Sequence, residues 1–264
     1  NNQSLPDAGF SDDLLYARRV ADHLDVDLHE VNVSSADLES DLLWMISHLD
    51  TPVADPSPLN VYHICRSARR QGIKVLLSGV GGDDLFTGYR RHLSLNFEPY
   101  WSWLPRSSRL ALRSISHMFR NLSVFNRRLA RTFEVAHKSS HDRLIHYFHW
   151  ASPPVLNSLL NNRFQLELHN YSPDLPLLDW LDNLPSDLTG IQKMLSLEQR
   201  FFLGDHNLIY TDSMSMAAGV EVRVPFLDTE LLEFSWCLPD FYKQRGLCSK
   251  WVLKQAMKGL LPSD

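Results

Sequence analysis

The stretch KVLLSGVGGDDLFTGYRRH, Lys74 to His92, constrains the fold more than any other part of the chain. An apolar run stops abruptly at Ser78, glycines and paired aspartates follow, and an aromatic helix begins. Residues 73–77 read as a strand, entered through Gly72 from a helix over about 59–70. Upstream, Ser11 is placed to cap a helix through about Leu24, whose apolar face carries Leu14, Leu15, Ala17, Val20, Ala21 and Leu24. Residues 28–33 alternate as a short strand, and a helix over about 36–48 follows. The segment DTPVADPSP is a proline-broken loop, because each proline removes a donor and restricts the residue before it. Helix, strand, helix, helix, strand at these lengths predicts an α/β layer with parallel strands. Beyond Tyr89 strand signals fade, so the expectation is a partial α/β nucleotide-type domain over 1–92 and a mostly helical region over 93–264.

Composition narrows the function classes. The 264 residues are 44% hydrophobic, enough to bury a sizeable core. A net charge of −5 argues against a dedicated nucleic-acid binder, which is usually basic. Cys65, Cys237 and Cys248 are odd in number and lack metal-like spacing, which fits a reducing cytoplasm. No apolar run reaches the roughly 20 residues needed to span a bilayer, and no leader pattern opens the chain. With Asn1 first and helical patterning still running at LLPSD, the chain reads as a piece of a longer protein.

Charge is unevenly spread. Residues 1–55 are rich in Asp and Glu, whereas residues 99–133 contain no acid and gather Arg106, Arg109, Arg113, Arg120, Arg127, Arg128 and Arg131. One reading of the basic run is a polyanion or membrane-surface site. The favoured one is amphipathic helices whose solvated face pairs with acidic neighbours, Leu110, Leu112, Ile115, Phe119, Leu122 and Leu129 being interleaved with the arginines.

The glycine loop carries the clearest chemistry. In a parallel sheet, ligands gather beyond the carboxyl ends of the strands, which is where Ser78, Gly79, Gly81 and Gly82 are expected. Glycines let backbone N–H groups approach an anion, and a helix N-terminus adds partial positive charge. Two carboxylates there, Asp83 and Asp84, would repel a phosphate unless a cation lies between, and Mg²⁺ is suited to one or two carboxylates plus phosphate oxygens. The alternative is a tight strand-to-helix turn in which Asp83 or Asp84 only serves the helix dipole. A second stretch, TDSMSMAAGVEVRVPFLDTELLEF, breaks a helix at Gly219 and sets Glu221 near Arg223 as an ion pair. Further on, CSKWVL places Lys250 at the start of another helix.

These stretches together resemble the synthetase domain of glutamine-dependent asparagine synthetases and their relatives, including β-lactam synthetases. The pieces that carry the resemblance are DTPVADPSPLNVYHICRSARRQGIKVLLSGVGGDDLFTGY, MAAGVEVRVPFLD and SKWVLKQAMKGLLP, in the family's order over about 10–92 and 187–264. The resemblance implies a PP-loop ATP pyrophosphatase-like α/β fold. It also implies a reaction in which ATP activates a carboxylate as an acyl-adenylate and ammonia displaces AMP. Carried over, Ser78, Gly79, Gly81 and Gly82 would line the nucleotide site, and Asp83, with Asp84 beside it, would hold Mg²⁺. Lys250 and the helix aspartate Asp212 would be catalytic, and Asp55 and Ser57 would border the acyl-acceptor pocket. Asp55 and Ser57 fit a capped turn equally well.

Departures from the family pattern are also legible. The family's first strand and SGG-x-DS loop are absent from these residues, as is the N-terminal glutaminase domain, which is expected on the parent chain. Val80 stands where many asparagine-forming members have glutamate, and Ser213 where an arginine is usual. Aspartate to asparagine is therefore the default reaction. A relative amidating a sugar acid or cyclising a peptide, or a degenerate binding module, is kept beside it. A homodimer is an allowed assembly. His141, His146 and His149 invite a metal reading, but their aromatic neighbours and the missing zinc-protease glutamate favour packing.

Overall fold

The computed structural model describes residues 13–151, 153–168 and 171–262, so the expected Ser11 cap lies outside the described residues. The first helices are α1 (Asp13–Leu24), α2 (Ser35–His48) and α3 (Ser57–Arg70), leading into strand β1 (Val75–Leu77). Next come α4 (Gly82–Phe86), α5 (Arg90–Phe97), α6 (Arg106–Met118), α7 (Val124–Phe133) and α8 (Ser140–Phe148). Two short helices, α9 (Pro153–Leu159) and α10 (Asn162–Glu167), precede α11 (Leu175–Asp182) and α12 (Gly190–Leu197). A π-helical segment, Glu198–Asn207, then joins α12 to α13 (Leu208–Ala217). Strand β2 (Glu221–Arg223) follows, then α14 (Thr229–Cys237), α15 (Asp240–Lys243) and α16 (Trp251–Ala256).

The chain separates into two compact units. One comprises Asn1–Leu76, Tyr210–Arg223 and Val252–Asp264; the other comprises Leu77–Ile209 and Val224–Trp251. The boundary therefore falls after Leu76 rather than at 92, and late segments return to the first unit.

In the first unit Met45, Leu59 and Met214 form a small buried core from α2, α3 and α13, with Trp44 and Tyr62 packed on it. α2 starts on a reciprocal cap: Ser34 Oγ accepts from Asp37 N at 3.1 Å, and Asp37 Oδ2 accepts from Ser34 N at 2.9 Å. β1 and β2 form a two-stranded sheet, extended by Glu221 N donating to Lys74 O at 2.8 Å. β2 is a strand that the sequence reading passes over as part of a turn. Conversely, the strand expected over 28–33 does not form. Val31 and Val33 are half-buried, but the segment joins no ladder among the described residues. Alternation supplies one face only; a strand also needs a neighbour for its N–H and C=O groups.

The second unit is helical. Its core is Leu95 of α5, Leu144 and Ile145 of α8, Leu177 and Leu181 of α11, and Ile191, Met194, Leu195 and Leu197 of α12. Among the described residues no helix is long and apolar enough to cross a membrane.

Candidate active site

The site begins where β1 ends. Val80 N donates to Ser78 Oγ at 3.3 Å and Gly82 N to Gly79 O at 3.3 Å, which folds the loop back on itself. Gly81 lies at φ +93°, a region that favours glycine. A Cβ there would also stand 2.5 Å from Leu227 Cδ2, and one on Gly82 would stand 3.4 Å from the Phe226 ring. The PFLD motif thus packs directly on the glycine loop. Its Asp228 caps α14 by accepting from Glu230 N at 3.0 Å and Leu231 N at 3.3 Å.

α4 carries the paired aspartates, which take different environments. Asp83 is half-exposed, and its Oδ1 forms an ion pair with Lys250 Nζ at 2.6 Å. Lys250 is held there by its backbone: its φ is +52°, and its N–H donates to Phe86 O at 3.1 Å. Thr87, the residue that ends α4, also lies at positive φ, +64°. Two non-glycine residues in this conformation beside one ion pair mark stored backbone strain of the kind that clusters at functional sites. Gly88 closes the arrangement, because a Cβ there would overlap Asp83 Oδ1 and lie 2.6 Å from Lys250 Cε.

Asp84 is not a second exposed carboxylate. It is 1% exposed, with Tyr89 Oη donating to its Oδ1 at 3.3 Å. Burial, reinforced by the charges of Glu198 and Asp83, lifts its pKa to about 7. The Tyr89 phenol is itself pushed up, first by burial and then by Asp84. The expected pair of metal ligands is therefore reduced to one solvent-facing carboxylate. No group of three or more His, Cys, Asp or Glu side chains suited to a metal converges among the described residues. A magnesium ion would find a single protein carboxylate, Asp83, which suits a hard cation completed by phosphate oxygens and water.

Beneath α4 lies a buried charge cluster. Glu198 opens the π-helical segment, accepts from Arg91 Nε and sits 2.7 Å from His92 Nε2. Arg91 stacks 4.4 Å from the Tyr89 ring centroid and 5.3 Å from that of Phe202. Gln199 donates to the Asp84 carbonyl at 3.1 Å and accepts from Trp236 Nε1 at 3.0 Å. Wide π turns are frequent at functional sites, and this one holds α4 through Gln199 and α5 through Glu198.

A family model for asparagine synthase matches residues 6–264. The chain belongs to the asparagine synthase family. It is 27% identical over 261 residues to asparagine synthetase [glutamine-hydrolyzing] 1 of Bacillus subtilis, covering 96% of this chain and 38% of that protein. To asparagine synthetase [glutamine-hydrolyzing] 3 of the same organism it is 25% identical, covering 89% of this chain and 32% of the relative. To amidase chyE of Penicillium rubens it is 26% identical over 266 residues, covering 94% and 39%. The chain thus spans less than two fifths of the length of these relatives. No solved structure matches it.

Of the remaining residues singled out in the sequence, Asp55, Ser57 and Asp212 lie in the first unit and the histidines of residues 141–149 in the second. Asp55 is 8% exposed and heads a turn, its Oδ1 accepting from Ser57 N at 2.9 Å and Ser57 Oγ at 2.7 Å. Asp212 sits exposed on α13, where its carbonyl accepts from Ser215 Oγ at 3.1 Å. The histidines of HDRLIHYFHW face carboxylates singly: His141 pairs with Asp182 at 3.0 Å and His149 with Asp174 at 2.7 Å. Sequence reading missed Gly88 and the Arg91–Glu198–His92 cluster. Thr87, not Gly88, is the left-handed cap of α4, so no local capping signal marks Gly88; its close approach to Asp83 and Lys250 exists only in the fold.

Proposed function

We propose that this chain is the synthetase part of an ATP-dependent, amide-forming ligase of the asparagine synthase family, with aspartate to asparagine as its default reaction. The observation that carries the reading is the ion pair of Asp83 and Lys250, which brings the glycine-loop motif and the SKWVL motif into one place. In this reading a carboxylate oxygen of the acceptor attacks the α-phosphorus of ATP, forming the P–O bond while pyrophosphate leaves. Ammonia then attacks the acyl carbon, AMP leaves, and the nitrogen loses its proton. The first step brings negative charges together, so a fixed cation is the main requirement. Lys250 supplies it, and Asp83 holds its ammonium at the loop until the polyphosphate arrives. The glycines of the loop give the phosphates access to backbone N–H groups. Asp83 would also hold magnesium, whose chemistry is to neutralise the polyphosphate. Asp55 and Ser57 are assigned to the acceptor side and Asp212 to catalysis by family resemblance alone, and ammonia is assigned to a glutaminase domain on the parent chain.

A second reading keeps the adenylation and changes the acceptor to a sugar acid or a peptide. Val80, an isopropyl group where many asparagine-forming members have glutamate, favours it, as does the similarity to a protein named an amidase. Pyrophosphate release by the full-length protein, screened across aspartate, sugar acids and peptides, decides between the two. Lys250→Ala and Asp83→Asn should each lower that release by about a hundredfold or more while thermal unfolding stays unchanged. Wild-type rates in both variants would remove the site assignment.

A further inference from the structure

The seven arginines of residues 106–131 were expected to pair with acidic neighbours. Among the described residues none of them forms an ion pair. α6 and α7 form a hairpin whose turn is tied down, since Ser123 Oγ accepts from Asn126 N at 3.0 Å and Asn126 Nδ2 donates to Phe119 O at 3.2 Å. Between the turn and α7 side of this hairpin and the end of α8 lies a cavity of about 430 Å³, within the size range of small-ligand sites. Its wall carries Arg120, Arg127 and Arg131, the imidazoles of His117 and His146, and the indole of Trp150. Glu134 is the single acid among its described lining residues, 3.8 Å from His146 Nε2 and beyond hydrogen-bond reach.

Two features ask for an acceptor. Buried polar atoms are almost always hydrogen-bonded, yet His117 Nε2 and His146 Nε2 are buried with no partner. Arg120, Arg127 and Arg131 line the same cavity, none of them in an ion pair among the described residues and with Glu134 as its single described acid, and the planar guanidinium fork is suited to phosphate oxygens. Trp150 adds an aromatic surface, its ring set 5.8 Å from Phe202 and 6.2 Å from His206.

We propose that the cavity between the α6–α7 hairpin and α8 is a binding site for a small anion bearing a diphosphate group, separate from the Asp83–Lys250 site. Arg120, Arg127 and Arg131 bind the phosphoryl oxygens, and His117 and His146 donate to them. The site shares no lining residue with the glycine loop. The imidazole of His146 already reports the local field. Its pKa is lowered by burial first, with Glu134 opposing, and then by Arg131, His149 and Lys138. An anion seated here reverses the arginine contribution and stabilises the imidazolium.

The test uses the full-length protein and inorganic pyrophosphate as the probe. Calorimetric titration of the wild type is compared with the triple variant Arg120→Gln, Arg127→Gln, Arg131→Gln and with Arg106→Gln, which changes charge outside the cavity. Loss of one pyrophosphate site, or at least about tenfold weaker binding, in the triple variant with Arg106→Gln unchanged is expected. Equal binding by wild type and triple variant overturns the proposal, because pyrophosphate would then sit only elsewhere. An equal loss in Arg106→Gln overturns it as well, since that is diffuse electrostatics. If the triple variant fails to fold, histidine NMR on the wild type stands in its place. Pyrophosphate should raise the His146 pKa, and an unmoved titration overturns the site.

Discussion

The second unit contains two concentrations of charge that are built in opposite ways. Around α4 the charges are paired, Asp83 with Lys250 and Glu198 with Arg91 and His92, except for Asp84, which burial pushes toward its neutral form. Along α6 and α7, by contrast, no arginine has a carboxylate partner among the described residues. The difference follows from burial. Glu198 and His92 are 0% exposed, where an unpaired ion is too costly to keep, whereas most of the hairpin arginines are hydrated. A paired cluster positions backbone; an unpaired one is available to a ligand.

The contrast breaks most severely at Glu198. Glu198→Ala would leave the Arg91 guanidinium under the Tyr89 and Phe202 rings with its buried counter-charge gone. Removing one partner of a buried pair costs about 3–5 kcal/mol, to be read as a lower denaturation midpoint with an unchanged slope. Arg127→Gln, on the unpaired side, should leave that midpoint where it was. Equal effects from the two variants would dissolve the distinction.

Gly88→Ala is the next largest. The new methyl must displace either the Asp83 carboxylate or the Lys250 stem, and misplacing a catalytic group by about 1 Å can cost a hundredfold in rate. Pyrophosphate release should fall by about that factor with little change in stability. A variant as active as the wild type would show that the close approach of Asp83 and Lys250 is irrelevant to turnover.

These predictions rest on residues of unequal legibility. The strand-to-glycine transition at Ser78 and the helix α2 follow from local signals, and the chain obeys them, while the Ser34 and Asp37 cap that starts α2 was not singled out. β2 was missed although Val220 to Val224 alternate apolar and polar, because Gly219 before them and Pro225 after them made so short a run read as part of a turn. The strand expected over 28–33 shows the converse, a pattern without a neighbour. At the site, the glycine loop and Lys250 were legible through motif order. The partnership of Arg91 with Glu198 was not, because ion pairs between residues far apart in sequence leave no local trace. The different environments of Asp83 and Asp84 were equally hidden, since adjacent identical side chains differ only once the helix has a buried face.

Asp84 sharpens the comparison through pH. Its folded pKa of about 7 lies well above the ordinary aspartate value of about 4. Between those values the folded chain holds a proton that the unfolded chain has lost. Stability therefore falls as pH rises through that window, by at most about 1.4 kcal/mol per pH unit, and levels off above it. Asp84→Asn keeps a neutral group that can accept from Tyr89, so its stability should lack this slope and exceed the wild type above pH 7. Parallel pH profiles for the two proteins would mean that Asp84 ionises normally and that α4 does not bury it.

The smallest effect belongs to Arg223. Its pair with Glu221 spans 2.8 Å, yet both side chains are more than half exposed, at 63% and 56%. The hydrogen bond to Glu221 raises the guanidinium pKa, but a group that is charged in every folded and unfolded state near neutral pH gains no linkage from such a shift. Exposed pairs are further weakened by screening and by the entropy of holding two long side chains still. Arg223→Ala should leave the denaturation midpoint unchanged within measurement, at low salt and at high salt alike. A clear loss that disappears at high salt would show that this exposed pair, unlike the rule for its class, is holding β2 in its strand conformation. Charge pairing on the sheet would then have to be counted with the buried cluster around α4 rather than set apart from it.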